Sequence, residues 1–587
     1  MKKFLIRISI LVILMFFLNK LSLAQEESSY FLEEVKVIAP AKIEHLEKIS
    51  QEVKVIKEEE LINFGLEVFS GIDLRERGGF GVQQDLSLRG TTFEQNLVTL
   101  EGIRLSDPQT GHHLMNLPWE NRIFESVEIL SGGGSALYGP GGFGGVLNFN
   151  LKPPKPGIEL LTGYGSYDYK EFYGSLGTFI ASFPINLTLS QKKAQGFIWN
   201  RDFDIKTLNL YTKNKEGLIF YGFQEKDFGA RNFYTIRYPT EWETTKTHLF
   251  LVKKFFYGKN WFLEPGILYR INYDTYLLDR KRPSFYKNTH QSQVLRSNFP
   301  LRYETPKIDY LLGIEFSYET LDSSRLGDHL RQGLGFYFWL YPKISSKWFP
   351  SVGIRYDSLT KNKDPFSYNL GLAYLIKTNL KWRTSLGFSY RIPSFTELYY
   401  DAPTIKGNPR LSPEKAHHFE MGLDFEKNIF KGSFTVFYRQ GKDIIDWVYQ
   451  PGVRKAENLE KVKTLGLTID GKINLNRLLP FYSYTYLNQI SEKLKTSHYQ
   501  GFYLRHKLVL GTFIKLPYQI EGAVSAIYQE RYQIDKAWLW SFKLSKVFYK
   551  KLKATLWAEN LLDEDYEEIP GIKGLPQWLG LNLELKF

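Results

Sequence analysis

Two polar segments near the start of the chain carry side chains that suit ligand binding. They share amide, carboxylate or imidazole groups and lie among glycines and prolines that favour loops. The residues are Gln83, Gln84, Asp107, Gln109, His112 and His113. Imidazole and carboxylate groups also coordinate metals. Adjacent histidines on a loop more often form hydrogen bonds, so we expect ligand contacts here and neither a metal site nor a cofactor.

Later polar segments combine aromatic rings with charges, which suits a large amphipathic ligand. The residues singled out there are Arg231, Tyr234, Tyr399 and Tyr400. The chain has no cysteine, which excludes disulfides and thiolate metal sites. No Ser/His/Asp set and no pair of catalytic carboxylates stands out, so we expect a binding protein and not an enzyme.

The first 24 residues have the pattern of a secretory signal peptide. Lys2, Lys3 and Arg7 are basic, residues 8–18 are almost entirely apolar, and Ser22-Leu23-Ala24 resembles a cleavage site. The alternative is a membrane anchor helix, but the apolar run is shorter than the ~20 residues that a helical span needs. We therefore predict a signal peptide at 1–24 and an exported protein.

The net charge of +13 indicates a basic protein. A basic surface could bind nucleic acid, but export argues against that partner. We expect contact with anionic lipopolysaccharide, outer-membrane lipid or an anionic ligand instead. The aromatic content of 16% suits a membrane-interface girdle.

The sequence pattern changes at the proline-rich run 152–157. Beyond it, apolar and polar residues alternate in segment after segment. In the last segment, Leu581, Leu583, Leu585 and Phe587 alternate with Asn582, Glu584 and Lys586. A soluble β-sandwich alternates in the same way, but the signal peptide, the length and the terminal aromatic residue together favour a membrane barrel. We therefore expect the apolar set to face lipid and the polar set to face the lumen.

A barrel must close because lipid offers no hydrogen-bond partner to an open sheet edge. Residues 158–587 at ~20 residues per strand and loop predict about 22 antiparallel strands, a size at which the lumen is plugged. The predicted fold is an all-β transmembrane barrel with an N-terminal α+β plug domain, residues 46–152, in the lumen. Residues 25–45 are predicted to be a periplasmic N-terminal segment.

Four groups of motifs resemble the TonB-dependent outer-membrane receptors. They are the run Glu34, Val35, Lys36, Val37, Ile38, Ala39 and Pro40; the runs 86–90 and 98–105; the runs 127–130, 135–139 and 144–148; and the run 558–566 with Phe587. The first looks like the family's TonB box, the next two like its plug signature and the last like its C-terminal signature. The resemblance implies active uptake energised by the inner-membrane TonB protein, in a chain expected to act as a monomer.

The assignment of the TonB box also has a physical basis. Residues 35–38 are a short β-prone run that Pro40 ends, and such a run can add as a strand to the sheet edge of another protein. The alternative is an ordinary first strand of the plug.

The glycine pattern Gly139, Gly141 and Gly144 matches G-x-G-x-x-G. A dinucleotide site would need a helix after these glycines, whereas the run 146–150 predicts a strand. We therefore interpret the glycines as positions of close backbone packing.

The resemblance also implies charged contacts between plug and wall. Arg89 is similar to the family's plug arginine, and Glu397 and Glu420 are similar to the wall glutamates that face it. A second plug arginine is common in the family, but Ser131 stands at that position here.

Within the family the chain looks most like the cobalamin receptors. The run 407–415 resembles theirs, although siderophore receptors share it. Only Asp202 and Asp204 lie close together where cobalamin receptors bind calcium, so no calcium site is evident. The alternatives are an iron–siderophore or heme receptor and, from another class, a passive porin, which would have neither plug nor box.

Overall fold

A computed structural model describes residues 48–235, 237–360, 366–491 and 497–587, and the backbone of 36–39 and 42–45. The predicted signal peptide and the box residues Glu34, Val35 and Pro40 lie outside this part of the chain. Within it, no helix has both the length and the apolar character of a membrane span.

The N-terminal part consists of short strands and single helical turns. Its strands are β1 (Lys36–Ala39), β2 (Lys42–His45), β3 (Val53–Lys57), β4 (Ile72–Arg77), β5 (Gln83–Leu88), β6 (Asn96–Leu100), β7 (Ile103–Leu105), β8 (Phe124–Ser131) and β9 (Gly145–Leu151). Its α-helices are Glu58–Phe64 and Ser135–Tyr138, and its 3-10 turns are Phe93–Gln95, Gly111–His113 and Asn121–Ile123. β1 pairs with β2, β4 pairs with β5, and a mixed sheet has the order β3-β8-β9-β6-β7. The predicted α+β plug is therefore confirmed.

Close packing of this mixed sheet explains the glycine pattern. A strand, β9, follows the glycines and pairs in parallel with β6. A Cβ atom at Gly144 would lie 2.3 Å from the side-chain oxygen of Asn96. Glycine is thus required by the packing, and the pattern is not part of a nucleotide site.

The rest of the chain forms one closed barrel of 22 principal antiparallel strands. They are β10 (Gly157–Gly165), β11 (Tyr169–Ile180), β12 (Phe183–Ala194), β13 (Phe203–Asn214), β14 (Gly217–Gly229), β15 (Trp242–Lys254), β18 (Gly266–Leu277), β19 (Lys287–Glu304), β20 (Ile308–Ser323), β21 (His329–Pro342), β22 (Trp348–Leu359), β23 (Phe366–Lys377), β24 (Leu380–Arg391), β27 (Glu414–Lys427), β28 (Phe430–Gln450), β29 (Val453–Ile473), β30 (Leu478–Ile490), β31 (Leu504–Leu516), β32 (Ile520–Arg531), β33 (Ala537–Phe548), β34 (Leu552–Glu559) and β37 (Trp578–Lys586). β10 pairs with β11 on one side and with β37 on the other, which closes the sheet and confirms the predicted fold.

Smaller elements lie in the connections. They are β16 (Phe256–Tyr257), β17 (Trp261–Leu263), β25 (Asp401–Ala402), β26 (Ile405–Lys406), β35 (Glu567–Ile569), β36 (Ile572–Lys573), the helix Phe395–Tyr399 and the 3-10 turns Ser166–Asp168 and Gln500–Phe502. Connections as short as 181–182 and 215–216 lie at the end of the barrel where β10 begins, and long ones such as 392–413 and 560–577 lie at the other end. Short turns face the periplasm and long loops the exterior in outer-membrane barrels, which orients the molecule.

Alternation along the strands separates the two barrel faces as predicted. On β37, Leu581 and Leu583 are 43% and 41% exposed, whereas Glu584 is 7% exposed. On β20, Phe316 is exposed and Glu315 is buried. The outer face is therefore apolar and suited to lipid.

One sector of the inner wall departs from the expected polar lumen. Phe220, Leu249, Leu251 and Leu268 are all buried and belong to the same apolar cluster as the plug core. The plug packs against β14, β15 and β18 there, so the inner face of these strands meets protein instead of water and burial of apolar surface stabilises the contact.

Candidate ligand-binding face and plug contacts

The hairpin β4–β5 presents a charged group at the exterior end of the plug. Arg77 lies at the end of β4, and its guanidinium is 2.7 Å from the carboxylate of Asp85 on β5. The other oxygen of Asp85 lies 2.7 Å from Nδ1 of His112. The two predicted plug loops therefore meet through one buried carboxylate.

His112 joins this group to an exterior loop. Its ring stacks on Phe93 with 3.9 Å between centroids, and its Nε2 is 3.3 Å from the hydroxyl of Tyr499. Burial lowers the pKa of His112 below its usual value, against the opposing effect of Asp85. A neutral ring follows, which is able to exchange hydrogen bonds with a ligand without adding charge.

Gln83 and Gln84 point to opposite sides, as neighbours on a strand must. The amide of Gln83 donates a hydrogen bond of 2.9 Å to the hydroxyl of Tyr234, which in turn donates to Glu243. Gln84 donates to Glu76 and lines a cavity of about 780 Å³ between plug and wall. Gln83 is only 3% exposed and lies directly beneath Tyr234, whereas Gln84 belongs to this internal cavity.

The ring of Tyr234 is 39% exposed although its hydroxyl is bonded. Arg231, in the same loop, is half-buried with its guanidinium 5.9 Å from the ring centroid of the exposed Trp199. An aromatic surface with nearby cations is therefore accessible from the exterior.

Asp107, Gln109 and His113 face the wall and are buried. Asp107 is 2.6 Å from Arg270 of β18, and Gln109 donates a hydrogen bond of 3.0 Å to Asp274 of the same strand. The structure therefore places these three predicted ligand contacts at the junction of plug and wall.

The exterior loop 392–413 covers this junction. The backbone N–H groups of Phe395 and Thr396 donate to the carbonyls of Pro108 and Gln109 at 2.9 and 3.0 Å. Ser394 caps the helix by accepting from the N–H of Glu397. The loop and the plug are thereby tied through main-chain bonds.

Tyr399 and Tyr400 extend from the end of this helix and pack on wall aromatics. Tyr399 stacks on His329 at 3.8 Å, and Tyr400 meets Trp447 edge-on at 6.5 Å. Both tyrosines are half-buried. The structure does not bring them to the group around Arg77.

Arg89 is the centre of a buried plug–wall cluster. It lies 2.8 Å from Glu420 on β27 and 2.5 Å from Glu52, a residue of the plug itself. Glu52 also accepts from the hydroxyls of Thr435 and Thr468 at 3.0 and 2.9 Å. Sequence reasoning missed Glu52, since nothing in the run around it distinguishes this carboxylate from an exposed one.

Glu397 does not join Arg89. Its carboxylate binds Arg391 at 2.8 Å, and Arg391 also binds Glu414 at 2.7 Å. The expected pairing of Glu397 with Arg89 is thus replaced by a wall arginine, because Glu397 lies on the loop helix above β24. Ser131 stands where the second plug arginine is expected from the resemblance. Its contact is through the backbone, since its N–H donates to the carbonyl of Glu52.

Plug and wall are joined by a further pair that no motif in the sequence predicts. Asp73 on β4 accepts two hydrogen bonds, at 2.6 and 2.7 Å, from Arg531 at the end of β32. Such a bidentate pair fixes geometry as well as charge.

A closed barrel filled by an N-terminal plug with its own sheets, with ion pairs holding the two together, defines a plugged outer-membrane transporter. The model of the TonB-dependent receptor plug domain matches residues 46–146, and that of the TonB-dependent receptor-like β-barrel matches residues 126–561. The chain belongs to the TonB-dependent receptors. Members of this family are transporters of the outer membrane and not enzymes.

Known proteins resemble the chain at low identity. It is 20% identical to the vitamin B12 transporter BtuB of Vibrio vulnificus over 506 residues, which covers 76% of this chain and 73% of the relative. The crystal structure of the siderophore receptor PirA from Acinetobacter baumannii is similar with a TM-score of 0.73 and 12% identity, covering 91% of this chain and 98% of that one. The copper transporter OprC is similar with a TM-score of 0.76 and 12% identity, covering 91% and 100%.

Proposed function

We propose that this receptor takes up a corrinoid such as cobalamin across the outer membrane. The observation that carries the proposal is the similarity to the vitamin B12 transporter over three quarters of the chain. A corrinoid is large and amphipathic, with an extended ring edged by amide groups.

The exterior face has the chemistry that such a ligand needs. The accessible ring of Tyr234 supplies apolar contact, and Gln83 lies directly beside its hydroxyl. Neutral His112 adds a further polar contact close to Asp85. Aromatic surface with a few fixed polar groups is typical of sites for large organic ligands.

Energy for transport would enter through the N-terminal segment. The backbone of Lys36–Ala39 is extended and pairs only with Lys42–His45 among the described strands. TonB would replace the second strand of this hairpin and form the same main-chain bonds with the box. The plug contacts at Arg89 would then separate under load.

A ferric siderophore is the second candidate. Arg231, Lys281 and Arg282 lie on exterior loops beside the exposed rings of Trp199 and Phe285. Cations on aromatic surface favour an anionic chelate, which a ferric siderophore commonly is.

A binding experiment separates the two candidates. The purified receptor is titrated with cyanocobalamin and with ferric catecholate and hydroxamate chelates. We expect tight binding of cyanocobalamin alone. Tyr234→Ala should weaken it by at least about tenfold, as truncation of a central aromatic contact does.

The matched control is Tyr518→Ala. Tyr518 is 85% exposed in a periplasmic turn, so its loss should leave binding unchanged. Binding of a ferric chelate without cyanocobalamin would reject the corrinoid proposal. Equal affinities for both tyrosine variants would reject the assigned face.

A further inference from the structure

Three metal-binding side chains from three different elements converge where the plug meets the wall. His113 ends the 3-10 turn Gly111–His113 of the plug, Glu243 lies on β15 and Asp274 on β18. β15 and β18 are neighbours, and Thr245 pairs with Asp274, so Glu243 and Asp274 lie diagonally on the same inner face. The fold therefore holds two wall carboxylates opposite one plug imidazole.

The distances fit a shared cation. His113 Nε2 is 3.7 Å from an oxygen of Glu243 and 3.8 Å from an oxygen of Asp274, and one ligand atom from each residue lies within 4.8 Å of the others. A metal with tetrahedral bonds of roughly 2.0–2.2 Å needs ligand atoms about 3.3–3.6 Å apart, so small side-chain movements complete the set.

The charge and the burial of the three side chains also favour a bound cation. The three residues are only 2–5% exposed, and two carboxylates face one imidazole. Two buried like charges repel each other strongly unless a cation lies between them. Among the described residues, no hydrogen-bond partner reaches Oδ1 of Asp274 or Oε1 of Gln109, the residue whose amide N–H binds Asp274. Buried oxygens without donors are available as ligands.

A surrounding shell orients the three side chains. The hydroxyl of Tyr234 donates to Glu243, and Gln109 donates to Asp274. The side-chain amide nitrogen of Asn272 lies 3.3 Å from Nδ1 of His113. With that amide turned over, its oxygen accepts from Nδ1–H and leaves Nε2 free to bind a metal beside the carboxylates. Outer partners of this kind are typical of metal sites.

From these contacts we propose that His113, Glu243 and Asp274 bind one divalent transition-metal ion of the zinc class, which ties the plug loop 106–113 to the wall. One imidazole and two carboxylates suit zinc or a similar ion. The imidazole disfavours calcium and magnesium, and the absence of sulfur from the set disfavours copper(I). The site revises the expectation that the histidine pair has no metal role. It does not depend on which nutrient is transported.

Zinc binding to the tag-free, full-length receptor in detergent tests the site. After treatment with a chelator and desalting, zinc is added and measured by titration calorimetry and elemental analysis. We expect one equivalent in the wild type and an affinity at least about tenfold lower in Glu243→Gln and Asp274→Asn. His112→Gln is the matched control and should bind zinc like the wild type, since its ring contacts Asp85 instead.

Two further measurements use the wild type alone, so the test does not depend on a variant that folds. Cobalt(II) at the site should give the visible absorption of a four- or five-coordinate ion with nitrogen and oxygen ligands. Zinc at 100 times its Kd should slow amide exchange in 106–113 by about 100-fold if exchange requires release of the ion.

Several results would overturn the proposal. One is wild-type protein that retains no zinc; another is zinc retained equally by Asp274→Asn and Glu243→Gln. Loss of zinc in His112→Gln together with retention in Asp274→Asn would place the ion elsewhere. Binding of calcium in preference to zinc would refute the class of metal.

Discussion

The pair of Asp73 and Arg531 provides the sharpest test of how plug and wall are held together. Both residues are 3% exposed, and two hydrogen bonds of 2.6 and 2.7 Å join them. Burial alone would raise the pKa of Asp73, but Arg531, together with Arg75 and Lys507, outweighs it and holds that pKa below the usual value. The carboxylate is therefore charged at neutral pH and depends on its partner.

Arg531→Met removes the guanidinium and leaves Asp73 buried. Loss of one partner of a buried pair costs about 3–5 kcal/mol. Arg75 remains 3.2 Å from Asp73, which compensates in part and places the cost at the lower end. About 3 kcal/mol corresponds to roughly a 100-fold shift in the equilibrium between docked and released plug.

Hydrogen exchange of plug peptides in the purified receptor measures this shift. We expect the amides of β4 and β5 to exchange up to about 100-fold faster in Arg531→Met. Adding Asp73→Asn should recover part of the loss, because the uncompensated charge disappears. Arg302→Met is the control, since the ion pairs of Arg302 join it to Glu304 and Asp309 of the wall. Equal exchange in Arg531→Met and the wild type would refute the reasoning.

Three other perturbations test the remaining parts of the argument. Leu556 is 54% exposed on the outer face, so Leu556→Lys places a charge in lipid, at a cost of about 2–4 kcal/mol at mid-depth. Heat-modifiable gel mobility should show a lower folded fraction for this variant, but not for Thr555→Lys, because the neighbouring Thr555 lines the internal cavity. Equal folded fractions would contradict the assigned faces. Val37→Pro should abolish uptake at an unchanged surface level, because proline removes a donor from the strand that would pair with TonB; uptake equal to the wild type would remove the box assignment. Deletion of 25–152 should leave an inserted barrel that leaks small solutes, as measured by dye or antibiotic entry, and an impermeable barrel would contradict the plug boundary.

The barrel was predictable because its physics is local and repeated. Every strand must place apolar residues outward, so the period of two recurs. The number of residues in the barrel segment, divided by the residues per strand and loop, gives the strand number. The polar inner face predicted by this alternation is absent where the plug covers the wall. Leu249 and Leu251 face inward because the plug covers them, and no pattern within β15 reveals that cover.

The plug contacts were predictable only where a motif carried them. Arg89 and Glu420 belong to recognisable runs and lie 2.8 Å apart. Asp73 and Arg531 pair across 458 positions with no motif on either side. Glu397 is the opposite case, because it belongs to a recognisable run but does not make the predicted contact with Arg89. The loop helix that carries it turns its side chain toward Arg391. Long-range pairing depends on the closed tertiary structure and not on local sequence.

The positions of these contacts along the chain determine how a load from the N-terminal segment meets the plug. Glu52 is the first of the plug–wall anchors described above, and it directly precedes β3. β3 is an edge strand of the mixed sheet and, among the described strands, pairs only with β8. An edge strand can be peeled away while the inner strands stay paired, because its ladder bonds are lost without disturbing the rest of the sheet. Asp73 and Asp107 hold later segments to other sectors of the wall, at β32 and β18. A pull on the N-terminal segment would therefore act first on Glu52 and β3, while the later anchors still hold the rest of the plug to the wall. Local opening of the plug follows more readily from this order than expulsion of the whole domain, because expulsion requires every buried pair to break together.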